Sequence, residues 1–131
     1  MILDSSALLA VVFQEPGYSA VEGAISSADT IGIGAPTAVE AGIVLTGRLG
    51  PSGPAVLQRM LDEVAAVVVP FTDDHRREAL TAYLRFGRGR HPARLNLGDC
   101  HSYATARLAR RPLLCVGDDF PHTDLELVPL N

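Results

Sequence analysis

Met1-Ile2-Leu3-Asp4-Ser5-Ser6-Ala7-Leu8-Leu9-Ala10 decides the architecture of this chain. An apolar run of three residues reads as a short buried strand and stops at a carboxylate. Ser5-Ser6 then supplies a helix cap, and Ala7 to Gln14 has helical character. The chain therefore begins strand, acid, helix. The same alternation continues downstream. A helix is expected over Tyr18 to Ser27, a short strand over Thr30 to Gly34, and a helix from Thr37 to about Thr46, with Thr37 and Glu40 spaced as a capping box. After the Gly-Pro-rich turn at 50 to 54 come a helix over Ala55 to Val64 and a β-branched buried strand over Val67 to Pro70. Helices at His75 to Arg85 and, opened by Asn96, Leu97 to Arg110 follow, separated by the Arg- and Gly-bearing loop Gly87 to Arg94. Pro112 stops the last helix, Leu113 to Val116 is a buried strand, and Leu125 to Leu130 is read as a final strand.

Short apolar strands alternating with helices predict an α/β fold with a mainly parallel sheet covered on both faces. Ligands of such sheets gather beyond the carboxyl ends of the strands. Asp4 falls at the end of the first strand, Asp118-Asp119 just past the end of the fourth, and Glu40 and Asp99 in the first turns of helices directed at the same edge.

These acids are conspicuous because each is isolated in an apolar or neutral stretch. Glu40 is the sole acid between Asp29 and Asp62, and Asp99 the sole acid between Glu78 and Asp118. A carboxylate placed there loses hydration and needs a compensating cation, donor or proton. Taken singly, each has an ordinary structural role: Asp4 as a helix cap, Glu40 as the partner of Thr37, Asp99 offsetting a helix dipole, Asp118 and Asp119 as turn residues. Taken together, they suit a hard divalent cation, Mg²⁺ or Mn²⁺, which favours oxygen ligands and activates water for phosphodiester cleavage. No His- or Cys-rich set favours zinc.

The 131 residues are 47% hydrophobic, enough for one domain spanning residues 1–131. No apolar run reaches the ~18 residues that span a bilayer, and the start lacks the marks of a signal peptide, so a cytoplasmic protein is expected. Cys100 and Cys115 are read as reduced core residues. The net charge of −4 is unevenly distributed: residues 1–75 hold nine acids and two Arg, residues 76–111 nine Arg against Glu78 and Asp99, and residues 112–131 four acids and no base. All eleven cations are Arg and none is Lys. Arg85, Arg88, Arg90, His91 and Arg94 flank Asp99, where guanidinium groups suit bidentate contact with an RNA backbone. A solvated basic helix face is the plainer reading of the same residues.

Asp4-Ser5-Ser6-Ala7-Leu8, Glu40 in an early helix, Leu95-Asn96-Leu97-Gly98-Asp99-Cys100, and Gly117-Asp118-Asp119-Phe120 followed by Thr123-Asp124 resemble the four acidic motifs of PIN-domain ribonucleases. Order and spacing match over nearly the whole chain. Within that family, Gly89-Arg90-His91 leading into Leu-Asn-Leu-Gly-Asp-Cys resembles the VapC toxins of toxin-antitoxin pairs. The resemblance implies a PIN-like α/β/α sandwich and a Mg²⁺-dependent endoribonuclease, usually dimeric, acting on a structured RNA such as tRNA and neutralised by a VapB antitoxin. By residue, it implies that Asp4 and Asp99 are the main metal ligands, Glu40 the second acid, and Ser6 the hydroxyl orienting the first motif. Asp118 is favoured as the fourth acid, with Asp119 the alternative, because the compact Gly-Asp-Asp-Phe departs from the family's usual spacing. The apolar helical surface near residues 7 to 25 is the expected antitoxin contact.

Other readings fit less well. A haloacid-dehalogenase-type phosphatase expects a second Asp two residues after the first, where this chain has Ser6. A receiver domain needs an acidic pair after the first strand and a Lys, and this chain has neither. A PIN-like RNA-binding module with a lapsed site is the non-enzymatic alternative, and its mark would be a missing acid; all are present.

Overall fold

The computed structural model describes residues 1–131. Four short strands, β1 (Ile2–Leu3), β2 (Gly32–Gly34), β3 (Val67–Val69) and β4 (Leu113–Leu114), form one sheet in the order β3-β2-β1-β4. All pairings are parallel, with Ile2 opposite both Gly32 and Leu113. Six helices surround the sheet: α1 (Ser5–Val12), α2 (Tyr18–Ser26), α3 (Ala35–Leu49), α4 (Gly53–Glu63), α5 (Asp73–Phe86) and α6 (Leu97–Ala109).

Strand alternation divides the core in two. Ile2 and Leu113 join Ala82, Phe86, Leu95 and Tyr103 from the α5–α6 side. Leu3 and Leu114 point the other way and join Ile33 of β2 and Leu8, Val21, Leu45 and Leu61 of α1 to α4. The result is the expected α/β fold with helices on both faces. Close layering requires Gly34 to lack a side chain, since a Cβ there would meet Thr105 of α6.

Three expectations need correction. β3 is a sheet edge rather than a buried strand: it pairs only with β2, leaving Val67 65% and Val68 46% exposed. Leu125 to Leu130 forms no strand; a single parallel bridge joins Leu127 to Leu113, with Pro129 close behind to deny a further donor. α3 starts at Ala35 because Gly34 is its cap and Pro36 sits in its first turn, so Thr37 caps nothing. The most exposed large apolar side chains lie outside residues 7 to 25, where Leu9, Val11, Val12 and Phe13 are partly buried. α1 and α2 turn theirs into the core, whereas Val39 and Ile43 of α3 are open and help line a groove of about 690 Å³ with Leu57, Leu61 and Val68.

Candidate active site

Asp4 follows β1 with extended backbone and is itself the cap of α1, the role expected of Ser5-Ser6. One carboxylate oxygen, Oδ2, accepts from the Ser6 N–H at 3.1 Å and the Ser6 hydroxyl at 2.6 Å. The other, Oδ1, accepts from the Ser102 hydroxyl of α6 at 2.5 Å. Asp4 is 5% exposed, so these three donors replace most of its lost hydration. Ser6 Oγ in turn accepts from the Val116 N–H at 3.0 Å, which ties the segment leaving β4 to the start of α1.

Glu40 reaches the same region from α3. Its Oε1 accepts from the Ser5 hydroxyl at 2.6 Å, and its other oxygen lies over Gly98 in the first turn of α6. A Cβ at residue 98 would collide with that carboxylate, so glycine creates the space in which Glu40 lies beside Asp99. Thr37 is not its partner. That hydroxyl points inward to Ser102 Oγ, 3.3 Å away.

Asp99 occupies the first turn of α6 in a reciprocal cap. Its Oδ2 accepts from the Asn96 N–H at 3.0 Å while Asn96 Oδ1 accepts from the Asp99 N–H at 2.9 Å. Burial, followed by the charges of Asp4, Asp119 and Glu40, raises the Asp99 carboxyl to about 6, against the opposing Asn96 N–H. Cys115 answers the same field: burial, with Asp4 and Asp99 adding to it, pushes its thiol up to about 12. Between the two loop acids, it is Asp119 whose charge acts on Asp99; Asp118 is exposed.

The structure thus brings Asp4, Glu40 and Asp119 into electrostatic range of Asp99 at the carboxyl end of the sheet. They do not form a closed cage: no three His, Cys, Asp or Glu side chains stand so as to hold an ion directly. The donor set is all oxygen and its charges repel one another. It fits a hard cation that keeps much of its water shell and bridges to carboxylates through it.

The basic residues divide into two groups. Arg85 is committed to Asp124 at 3.2 Å, alongside Arg107 at 3.1 Å and the Tyr103 hydroxyl at 2.7 Å. It is a strut between α5 and the C-terminal segment rather than a free cation. Arg88, Arg90 and Arg94 stand exposed on the 87–95 loop with no acidic partner, Arg90 over the Tyr83 ring at 5.9 Å. Three further hydroxyls complete the site: Ser5 and Thr37, expected only as helix caps, and Ser102, which the motifs do not include. The signal for Ser102 is its place three positions after Asp99 and hence on the same helix face.

A PIN-domain family model matches residues 1–126. The chain belongs to the PIN-domain family. Among its VapC members, Ribonuclease VapC36 of Mycobacterium tuberculosis is 46% identical over 127 residues, covering 96% of this chain and 91% of that protein. Ribonuclease VapC of Mycolicibacterium smegmatis is 37% identical over 128 residues, covering 98% and 99%. The fold matches the crystal structure of M. tuberculosis VapC20, described as a sarcin-ricin loop cleaving toxin, with a TM-score of 0.78 at 17% identity over 97% of each chain. A toxin-antitoxin complex from Klebsiella pneumoniae matches with a TM-score of 0.68 at 17% identity, over 94% of this chain and 92% of that one. The PIN fold and the VapC resemblance read from the acidic motifs are therefore both borne out.

Proposed function

We propose that this chain is a single-domain, Mg²⁺-dependent endoribonuclease toxin, with Mn²⁺ able to substitute, that cleaves phosphodiesters of a structured RNA such as tRNA. It acts in the cytoplasm as a homodimer and is held inactive by a VapB-type antitoxin. The observation that carries the reading is the convergence of acids from the β1 end, α3 and α6 on one sheet edge, where Asp99 is raised to about 6 by burial and by its neighbours' charge. Such self-repulsion is relieved by a cation. The names of the curated relatives support ribonuclease chemistry, and the toxin-antitoxin complex among the fold neighbours supports a protein antagonist.

Asp4 and Asp99 would hold the metal, with Glu40 and Asp119 reaching it through water. We assign the fourth acid to Asp119 over Asp118 because its charge is the one felt at Asp99. A bound divalent cation would supply a Lewis acid for a phosphoryl oxygen and a water acidic enough to attack phosphorus. Ser6 fixes Asp4 and couples it to the loop bearing Asp119. Ser5 fixes Glu40, which is aimed at the same space as Asp99. Arg88, Arg90 and Arg94 grip the RNA backbone, while Arg85 acts indirectly by bracing α5.

The test is to incubate antitoxin-free protein with a total tRNA pool in Mg²⁺ or Mn²⁺, beside an EDTA control and Asp99→Asn. Discrete fragments that vanish in both controls are expected. Undiminished cleavage by Asp99→Asn would remove that carboxylate from the reaction. RNA binding without cleavage in every sample would point to a binding module.

A further inference from the structure

One turn deeper than the acids lies a layer of buried hydroxyls on the same helices. Thr37 precedes Glu40 by three residues on α3, and Ser102 follows Asp99 by three on α6, so each hydroxyl shares a helix face with an acid. Glu40 is exposed and Asp99 half-buried, but Thr37 and Ser102 are 3% and 1% exposed. The layer runs Thr37, Ser102, Asp4, at 3.3 and 2.5 Å. Ser102 has one hydroxyl proton and gives it to the Asp4 carboxylate, so Thr37 must be the donor to Ser102. No buried side-chain polar atom in the chain lacks a partner, and this layer is closed accordingly.

We infer that Ser102, backed by Thr37, is a positioning residue that sets the orientation of Asp4 and its spacing from the acids on α3 and α6. The Ser6 bonds converge on one oxygen of Asp4 and come from the next turn of chain, as in any capped helix; alone they leave the carboxylate free to rock about that oxygen. The third bond engages the other oxygen and arrives from α6, 98 residues away. It locks the carboxylate plane to the helix that bears Asp99. The inference rests on the metal-nuclease reading above, because the oriented group is its proposed ligand. Outer contacts of this kind tune metal affinity by holding a ligand in place.

The experiment measures Mn²⁺ affinity of RNA-free protein by electron paramagnetic resonance, together with cleavage as a function of Mg²⁺ concentration and melting temperature. The variants are Ser102→Ala, Ser102→Thr and Thr37→Val. Ser102→Ala is expected to weaken Mn²⁺ binding by roughly 10- to 100-fold, with cleavage recovering as Mg²⁺ is raised. Ser102→Thr restores the hydroxyl and stays near wild type. Thr37→Val removes the backing without touching Asp4 and gives a smaller loss in the same direction. Mn²⁺ affinity unchanged in Ser102→Ala, whatever its melting temperature, overturns the inference. Should that variant fail to fold, Thr37→Val decides: weaker Mn²⁺ binding supports the inference and unchanged binding overturns it. Wild-type protein that binds no Mn²⁺ overturns the metal reading and this one with it, a failure visible before any variant is made.

Discussion

α6 carries two acid-centred clusters built on opposite rules. At its N-terminus, Asp99 faces Asp4, Glu40 and Asp119 with no cation among them, and burial plus like charge raises it to about 6. One and two turns further along, Tyr103 and Arg107 meet Asp124, which also receives Arg85. There burial raises the carboxyl, but the Tyr103 hydroxyl and the two guanidinium groups outweigh it, and Asp124 ends below its usual range. Arg107 also reaches Glu78 of α5 at 3.8 Å. The comparison shows that the chain has arginine to spare for neutralising acids and uses it only at the second cluster. The first is left with unopposed negative charge, the condition of a site completed from outside.

The difference is broken most completely by removing one charge from the first cluster. Asp99→Asn preserves the reciprocal cap with Asn96, yet is expected to cut cleavage by about 10²- to 10³-fold, the scale of losing one transition-state charge contact. In metal-free protein the same change should hold or raise the melting temperature, because it relieves repulsion. A marked fall in stability would show that the cluster is not strained as described. A proton should act as a weaker version of that substitution. The Asp99 pKa lies above the ~3.9 of an unfolded chain, so its stabilising contribution is fully present below that value and lost as pH rises through about 6. Metal-free melting temperature should therefore fall between about pH 4 and 6 more in wild type than in Asp99→Asn, and the two should run parallel above that. Mn²⁺ affinity should drop about tenfold per pH unit below 6 as protons compete for the site, measured by calorimetric titration.

Smaller effects test the arginine division. Changing Arg88, Arg90 and Arg94 to Gln should reduce the slope of log affinity for single-stranded RNA against log salt by roughly 0.7 per residue. Arg85→Gln should leave the slope unchanged, since that guanidinium is already paired with Asp124. An equal effect from Arg85 would return it to the RNA-facing group. Smallest of all, Asp124→Asn should cost about 1 kcal/mol, a few degrees in melting temperature, given the half-open setting of its ion pairs. Cleavage at a permissive temperature should be unaffected.

The layered fold and the meeting of acids were legible in the sequence because both depend on local patterns. Strand-acid-helix at residues 1 to 14, the Asn96 cap and the Pro112 stop each follow from a few adjacent residues. What was not legible depends on pairing. The valines of residues 67 to 69 read as buried from composition, but the sheet order puts them on an edge. Thr37 and Glu40 have capping-box spacing, but Gly34 and Pro36 start α3 earlier and free both side chains for other partners. Arg85 looked available because Asp124 lies far along the chain. Asp118 and Asp119 are neighbours in the chain, and only the turn of the loop after β4 puts the charge of Asp119 within reach of Asp99.

Finally, the bonds from Ser102 to Asp4 and from Val116 to Ser6 span 98 and 110 residues. Chains grow on the ribosome at about 5–20 residues per second, so the first acid waits on the order of ten seconds for the groups that fix it. A nascent chain that has emerged only as far as α5 already carries Asp4 and Glu40, yet has no Asp99, no Ser102 and no β4 beside β1. A chain that stops before α6 therefore lacks both Asp99 and the donor that locks Asp4, and the acids are brought together only once α6 and β4 have joined the sheet.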